Sequence, residues 1–140
     1  MADCIFCRIA RGEVPARKVY EDEHAVAFLD AQPLARGHTL VVPRAHAEHV
    51  EDMSDLVARH VFGAAHKLAG RVAKAAGAEG TTIAVNNGKA AGQEVPHVHV
   101  HIVPRWSRDK AGPIHAMAWE RPKVAPEELD QIATSIRALP

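Results

Sequence analysis

At 140 residues, with 47% hydrophobic and 24% charged side chains, the chain has the size and balance of an ordinary globular domain with a core of its own. Lys and Arg number 17, as do Asp and Glu, so the formal charge is zero and no basic run points to nucleic acid or an anionic membrane as partner. No apolar run approaches the ~18 residues of a membrane span, and MADCIFCRIARGE at the start has no signal-peptide stretch.

The two cysteines, Cys4 and Cys7, come first in the chain. Their spacing suits zinc, but two ligands do not close a tetrahedral site. They make no disulfide framework, so a reducing cytoplasm is the expected setting. Three strands follow: Lys18-Val-Tyr20; His24 to Leu29, stopped by Asp30-Ala-Gln-Pro33; and His38 to Val42, entered through Arg36-Gly37 and closed by Pro43. Ser54 is a fair N-cap for a long helix. Val57, Val61, Ala64, Leu68, Val72 and Ala75 recur at helical spacing, and Gly77 is its stop.

Thr81 to Val85 reads as a fourth strand, leaving through Asn86-Asn87-Gly88 into the loop Lys89-Ala-Ala-Gly-Gln-Glu94. His97 to Val103 is the fifth, ended by Pro104. Gly112, Pro113, Pro122 and Pro126 break the tail. A last helix from Glu127 carries Leu129, Ile132, Ala133 and Ile136 on one face. Strands grouped around one long helix, without βαβ alternation, predict an α+β fold: a five-stranded antiparallel sheet with the long helix on one face, and a C-terminal helix.

Histidine is the unusual residue, with ten copies. In His97-Val-His-Val-His101, alternation puts His97, His99 and His101 on one strand face, roughly 7 Å apart. Val98, Val100 and Ile102 on the other face read as core. Three aligned imidazoles make a poor and costly core. They suit either a zinc site or acid, base and nucleophilic work near neutral pH; periodicity does not choose between these. His24, His49, His60, His66 and His115 read as surface residues.

His97-Val-His-Val-His101-Ile-Val resembles the H-φ-H-φ-H-φ-φ signature of the histidine triad (HIT) superfamily, where φ is apolar. The resemblance runs from about Cys4 to Arg105. Phe28-Leu-Asp30, Gly37-His-Thr-Leu-Val-Val-Pro43, Val85-Asn86-Asn87-Gly88 and Gly92-Gln93 resemble family blocks in the right order. The branch most resembled is the Hint type, the purine-nucleotide phosphoramidases and their bacterial relatives. The resemblance implies one HIT domain over residues 1–140, with a core of about 4–105 and an extension of about 106–140.

It also implies roles. His99 would attack the α-phosphorus of a purine nucleotide conjugate, of AMP or GMP, through a nucleotidyl-histidine. The His97 carbonyl would fix its tautomer, and His101 and His38 would face the phosphate. Asp30 would hold the ribose; Asn86 and the Gly92-Gln93 backbone would lie near the α-phosphate; Phe6, Ile9 and Phe28 would surround the base. Bacterial relatives with an N-terminal CxxC often hold a structural zinc, and the matching ligands are Cys4, Cys7, His46 and His97. Members commonly form homodimers through the long helix and a sheet strand. Where phosphoramidase relatives carry Ser or Thr after Gly-Gln, this chain has Glu94. A dinucleoside polyphosphate hydrolase and a non-catalytic nucleotide-binding module are the alternative readings.

Overall fold

A computed structural model describes residues 4–109 and 125–138. The chain divides into two units, Met1–Asp109 and Lys110–Pro140. In the first unit, β1 (Lys18–Glu21), β2 (Ala25–Leu29), β3 (Thr39–Pro43), β4 (Gly80–Ala84) and β5 (Val100–Arg105) form one antiparallel sheet in the order β1-β2-β3-β5-β4. This is the expected five-stranded α+β sheet.

Both sheet faces are covered, which explains why β2 and β3 are apolar at nearly every position. Helix α2 (Asp55–Ala76) starts at Ser54, whose hydroxyl accepts from the Val57 amide at 3.2 Å, and stops at Gly77 in the left-handed conformation. Its buried stripe is Val61, Ala64, Ala65, Leu68 and Val72, packed on Ala25, Ala27, Val41, Val100 and Ile102. Val57 is partly buried, and Ala75 is exposed outside the stripe. The alternate residues Val26, Phe28, Leu40 and Val42 face the other way, onto Phe6, Ile9 and Ala10.

Those last three belong to α1 (Ile5–Ala10), an element absent from the expectations. Six residues show barely one helical repeat, so periodicity cannot announce the helix. Its function follows from its place: it closes the sheet face opposite α2.

Strand β5 corrects a boundary. It begins at Val100, not His97, and runs through Pro104 to Arg105. The β3–β5 register pairs Thr39 with Ile102 and Val41 with Val100. Two steps further on, Val98 would meet Pro43, which has no N–H to give. The ladder stops, and the Val98 amide donates to the Ala47 carbonyl instead, at 2.8 Å. At the other end β3 pairs no further than Ile102, so Pro104 has only β4 beside it, opposite Thr81. A proline is tolerated there.

In the second unit α3 spans Pro126–Ala138, one residue earlier than expected, with proline in the first turn. The side chains of Leu129, Ile132, Ala133 and Ile136, and residues Gly112, Pro113, His115 and Pro122, lie outside the described residues. Among the described residues no helix is long and apolar enough to cross a membrane.

Candidate active site and metal cluster

The end of β5 and the segment before it carry the chemistry. His99 is 7% exposed, and its Nδ1 lies 2.8 Å from the His97 carbonyl oxygen. A carbonyl only accepts, so Nδ1 holds the proton and the neutral ring leaves Nε2 bare. The Phe6 ring meets that imidazole edge-on at 5.3 Å, and the His101 ring lies 4.9 Å away.

His101 and His38 form a second chain of fixed tautomers. The Leu34 amide donates to His38 Nδ1 at 3.0 Å, so the His38 proton sits on Nε2. That nitrogen lies 3.0 Å from His101 Nδ1, which must accept. The neutral His101 therefore keeps its proton on Nε2. Burial is the largest cause lowering the basicity of both rings, and neighbouring His99 adds to it; His101 is brought to about 4. Nearby Asp30, with an oxygen 3.6 Å from His38 Nδ1, opposes the shift. Near neutral pH the free protein thus presents neutral imidazoles here.

These side chains open on a cleft of about 630 Å³. Of the expected catalytic residues, His99, His101 and His38 line it. So do Asp30, Asn86, Gly92, Phe6, Ile9 and Phe28 from the expected nucleotide-binding set. Phe6 and Phe28 pack at 5.6 Å, giving the floor an aromatic pair. Gly92 has φ 91°, a conformation that favours glycine, and a Cβ there would sit 4.0 Å from the Asn86 amide nitrogen.

Gln93 stands apart from the cleft wall. Its Oε1 accepts from the Gly88 amide at 2.7 Å, and its Nε2 donates to the Glu48 and Val95 carbonyls. The side chain braces the loop, leaving only backbone for any ligand. Arg17, Leu34, Leu40, Glu94 and Val95 also line the cleft. Only Glu94 among them carried a signal, as a departure from the family pattern.

His97 does not share the face of His99 and His101. Its ring is fully buried in a different cluster. Its Nδ1 lies 3.3 Å from Cys4 Sγ and 3.5 Å from Cys7 Sγ, and His46 Nδ1 lies 3.3 Å from Cys7 Sγ. The ligand atoms of Cys4, Cys7, His46 and His97 all fall within 4.8 Å of one another. His97 Nε2 donates to the Pro43 carbonyl at 2.9 Å, which leaves Nδ1 free as a ligand. Burial pushes the Cys7 thiol up, and Cys4 adds to the effect. These four residues could hold a metal ion; His99 and His101 are outside the group, the one metal-capable cluster among the described residues.

Of the remaining histidines, His66 is exposed, while His24, His49 and His60 are half-buried. The His24 and His60 rings meet at 4.5 Å, and His60 pairs with Asp22 at 3.2 Å, a structural contact on the α2 side.

An α+β sheet with a buried, tautomer-fixed imidazole at an open cleft is suited to acid–base or nucleophilic histidine chemistry. The HIT domain model matches residues 11–108, and the chain belongs to that family. The Protein hit of Bacillus subtilis is 41% identical over 138 residues, 96% of this chain and 92% of its own length. The adenosine 5′-monophosphoramidase of Schizosaccharomyces pombe is 35% identical over 95% of each chain. A zinc-bound histidine triad family protein from Mycobacterium smegmatis superposes with a TM-score of 0.74 at 33% identity, over 96% of this chain and 98% of its own. The family thus includes enzymes that hydrolyse nucleotide conjugates.

Proposed function

We propose that the protein hydrolyses purine nucleotide phosphoramidates, or related adenylated substrates, at the α-phosphate through a nucleotidyl-His99 intermediate. The observation that carries this reading is the bare Nε2 of His99, held by the hydrogen bond from its Nδ1 to the His97 carbonyl and open to the cleft. The relationship to an adenosine 5′-monophosphoramidase supports the substrate class.

The base lies against Phe6, Ile9 and Phe28, and the Asp30 carboxylate takes the ribose hydroxyls. Asn86 and the amides of Gly92 and Gln93 receive the α-phosphate. The lone pair of His99 Nε2 forms a bond to phosphorus as the P–N bond breaks, and the electron pair leaves with the nitrogen. The phosphate's negative charge raises the basicity of the His38–His101 pair. The pair takes up one proton from solvent as the substrate binds, and His101 Nε2 then passes a proton to the departing amine, returning the pair to neutrality. Water next attacks phosphorus, the His99–phosphorus bond breaks, and the water proton returns to His101. The proton on His99 Nδ1 stays there throughout, donated to the His97 carbonyl.

Zinc suits the Cys4, Cys7, His46 and His97 set. Four ligands at Zn–S and Zn–N bond lengths stand roughly 3.5 Å apart, close to the observed nitrogen–sulfur separations. All four positions are protein ligands, so the ion is structural: it would tie α1 to the segments that carry His46 and His97.

We also read the protein as a homodimer. Among the described residues β4 ends the sheet and pairs with β5 alone. Its Ile83 is 51% exposed, and α2 exposes Phe62. A second copy set against this edge would cover both.

Replacing His99 with Asn tests the assignment. The amide can still donate to the His97 carbonyl but has no nucleophilic nitrogen. Turnover of adenosine 5′-phosphoramidate should fall by at least about 10³-fold with the thermal transition and AMP affinity retained. Activity near wild type would refute the mechanism.

A further inference from the structure

The cleft wall that includes His99 and His101 also carries a carboxylate. Glu94 is exposed and lines the cleft with Asn86, Gly92, His99 and His101. Among the described residues no hydrogen bond or ion pair engages it. On either side of it, Gln93 is turned inward by its three hydrogen bonds and Val95 forms part of the wall.

The charge around it is lopsided. His38 and His101 are neutral in the free protein near pH 7 because burial lowers both. The one arginine among the described wall residues, Arg17, is carried on backbone remote from β5. Its carbonyl accepts from Leu29 next to β1, and β1 lies three strand spacings, roughly 14 Å, from β5. Lys89, the basic residue of the same loop, is exposed and outside the wall. Once the His38–His101 pair has given its proton to the departing amine, an anionic leaving group meets a carboxylate and, among the described residues near it, no fixed cation. A cationic one meets an attractive charge.

We propose that Glu94 selects the leaving group, favouring nucleotide conjugates of amines that carry a second, positively charged group, such as diamines or basic amino acids, over conjugates with anionic leaving groups. This rests on the phosphoramidase reading and narrows it. A hydroxyl at the same position could donate a hydrogen bond to the departing atom; the carboxylate instead reads charge further out along the leaving group.

The test uses three adenosine 5′-phosphoramidates differing only at the far end of a two-carbon amine: ammonium, hydroxyl or sulfonate. For the wild-type protein kcat/KM should follow that order. In Glu94→Gln the ammonium-to-sulfonate ratio should drop by about tenfold, the combined loss of one attraction and one repulsion at a half-open site. Comparing ratios removes any general effect of the substitution. Calorimetric binding of the same compounds to the His99→Asn protein, with and without Glu94→Gln, gives the selectivity without chemistry. Binding in the stated order without turnover by the His99-bearing protein keeps the Glu94 assignment and overturns the phosphoramidase reading. Turnover and binding with a ratio that Glu94→Gln leaves unchanged overturns the Glu94 assignment and keeps the reading.

Discussion

The tautomer of each histidine in the cleft is set by a backbone group rather than by another charged side chain. The His97 carbonyl fixes His99, and the Leu34 amide fixes His38 and, through it, His101. The two backbone groups do not titrate, so the arrangement holds as long as the His38 and His101 rings stay neutral. One consequence is measurable. His101 is lowered to about 4 in the folded protein, against about 6.5 for a free imidazole. Between those values the unfolded chain binds more protons than the folded one, so stability is complete above about pH 6.5 and is lost as pH falls toward 4. Urea unfolding at pH 7 and at pH 4.5 should show a smaller acid-induced loss for His101→Asn than for the wild type. Equal losses would mean that His101 is not held neutral by the fold. The sequence made His99 and His101 legible because alternating histidine and valine are hard to explain as core. It did not reveal the Leu34 amide, since a backbone donor leaves no residue-type signal.

At the scale of elements, α1 is where the metal cluster and the cleft meet. Cys4 is its N-cap and Cys7 lies within it, while Phe6, between them, touches both the His97 and His99 rings. A short helix has little stability of its own, so its docking depends on the cluster and the apolar contacts of Phe6, Ile9 and Ala10. If the cluster holds zinc, as proposed, chelation or Cys7→Ser should release it and raise amide exchange across residues 5–10. It should weaken AMP binding roughly tenfold or more. Unchanged exchange there would show that the cluster does not hold the helix. The long helix makes a simpler case. Leu68 is 3% exposed in the core under α2, so Leu68→Ala should cost about 2–5 kcal/mol in denaturant unfolding. A cost below about 1 kcal/mol would contradict the packing. The sequence displayed α2 through six apolar positions, but it did not place the start of β5. That boundary depends on Pro43 facing Val98 across the sheet, a long-range pairing that neither segment announces alone.

Within the first unit the sheet has α2 on one face and α1 with the cleft on the other, and among the described residues β4 pairs with β5 alone. If a second copy covers that edge, sedimentation should give a dimer for the wild type and a monomer for Ile83→Lys; a monomeric wild type would remove the dimer. The whole-molecule order of strands was readable to the level of an antiparallel α+β sheet. The neighbour relation β3-β5-β4, which brings His38 beside His101, was not, because those residues are far apart in the chain. The account stands or falls on the covalent step. Rapid quenching of the protein with an adenosine phosphoramidate, followed by peptide mass spectrometry, should locate an adenylyl group on His99 that is absent from His99→Asn. Turnover without any adduct, or an adduct on another residue that persists in His99→Asn, would contradict it.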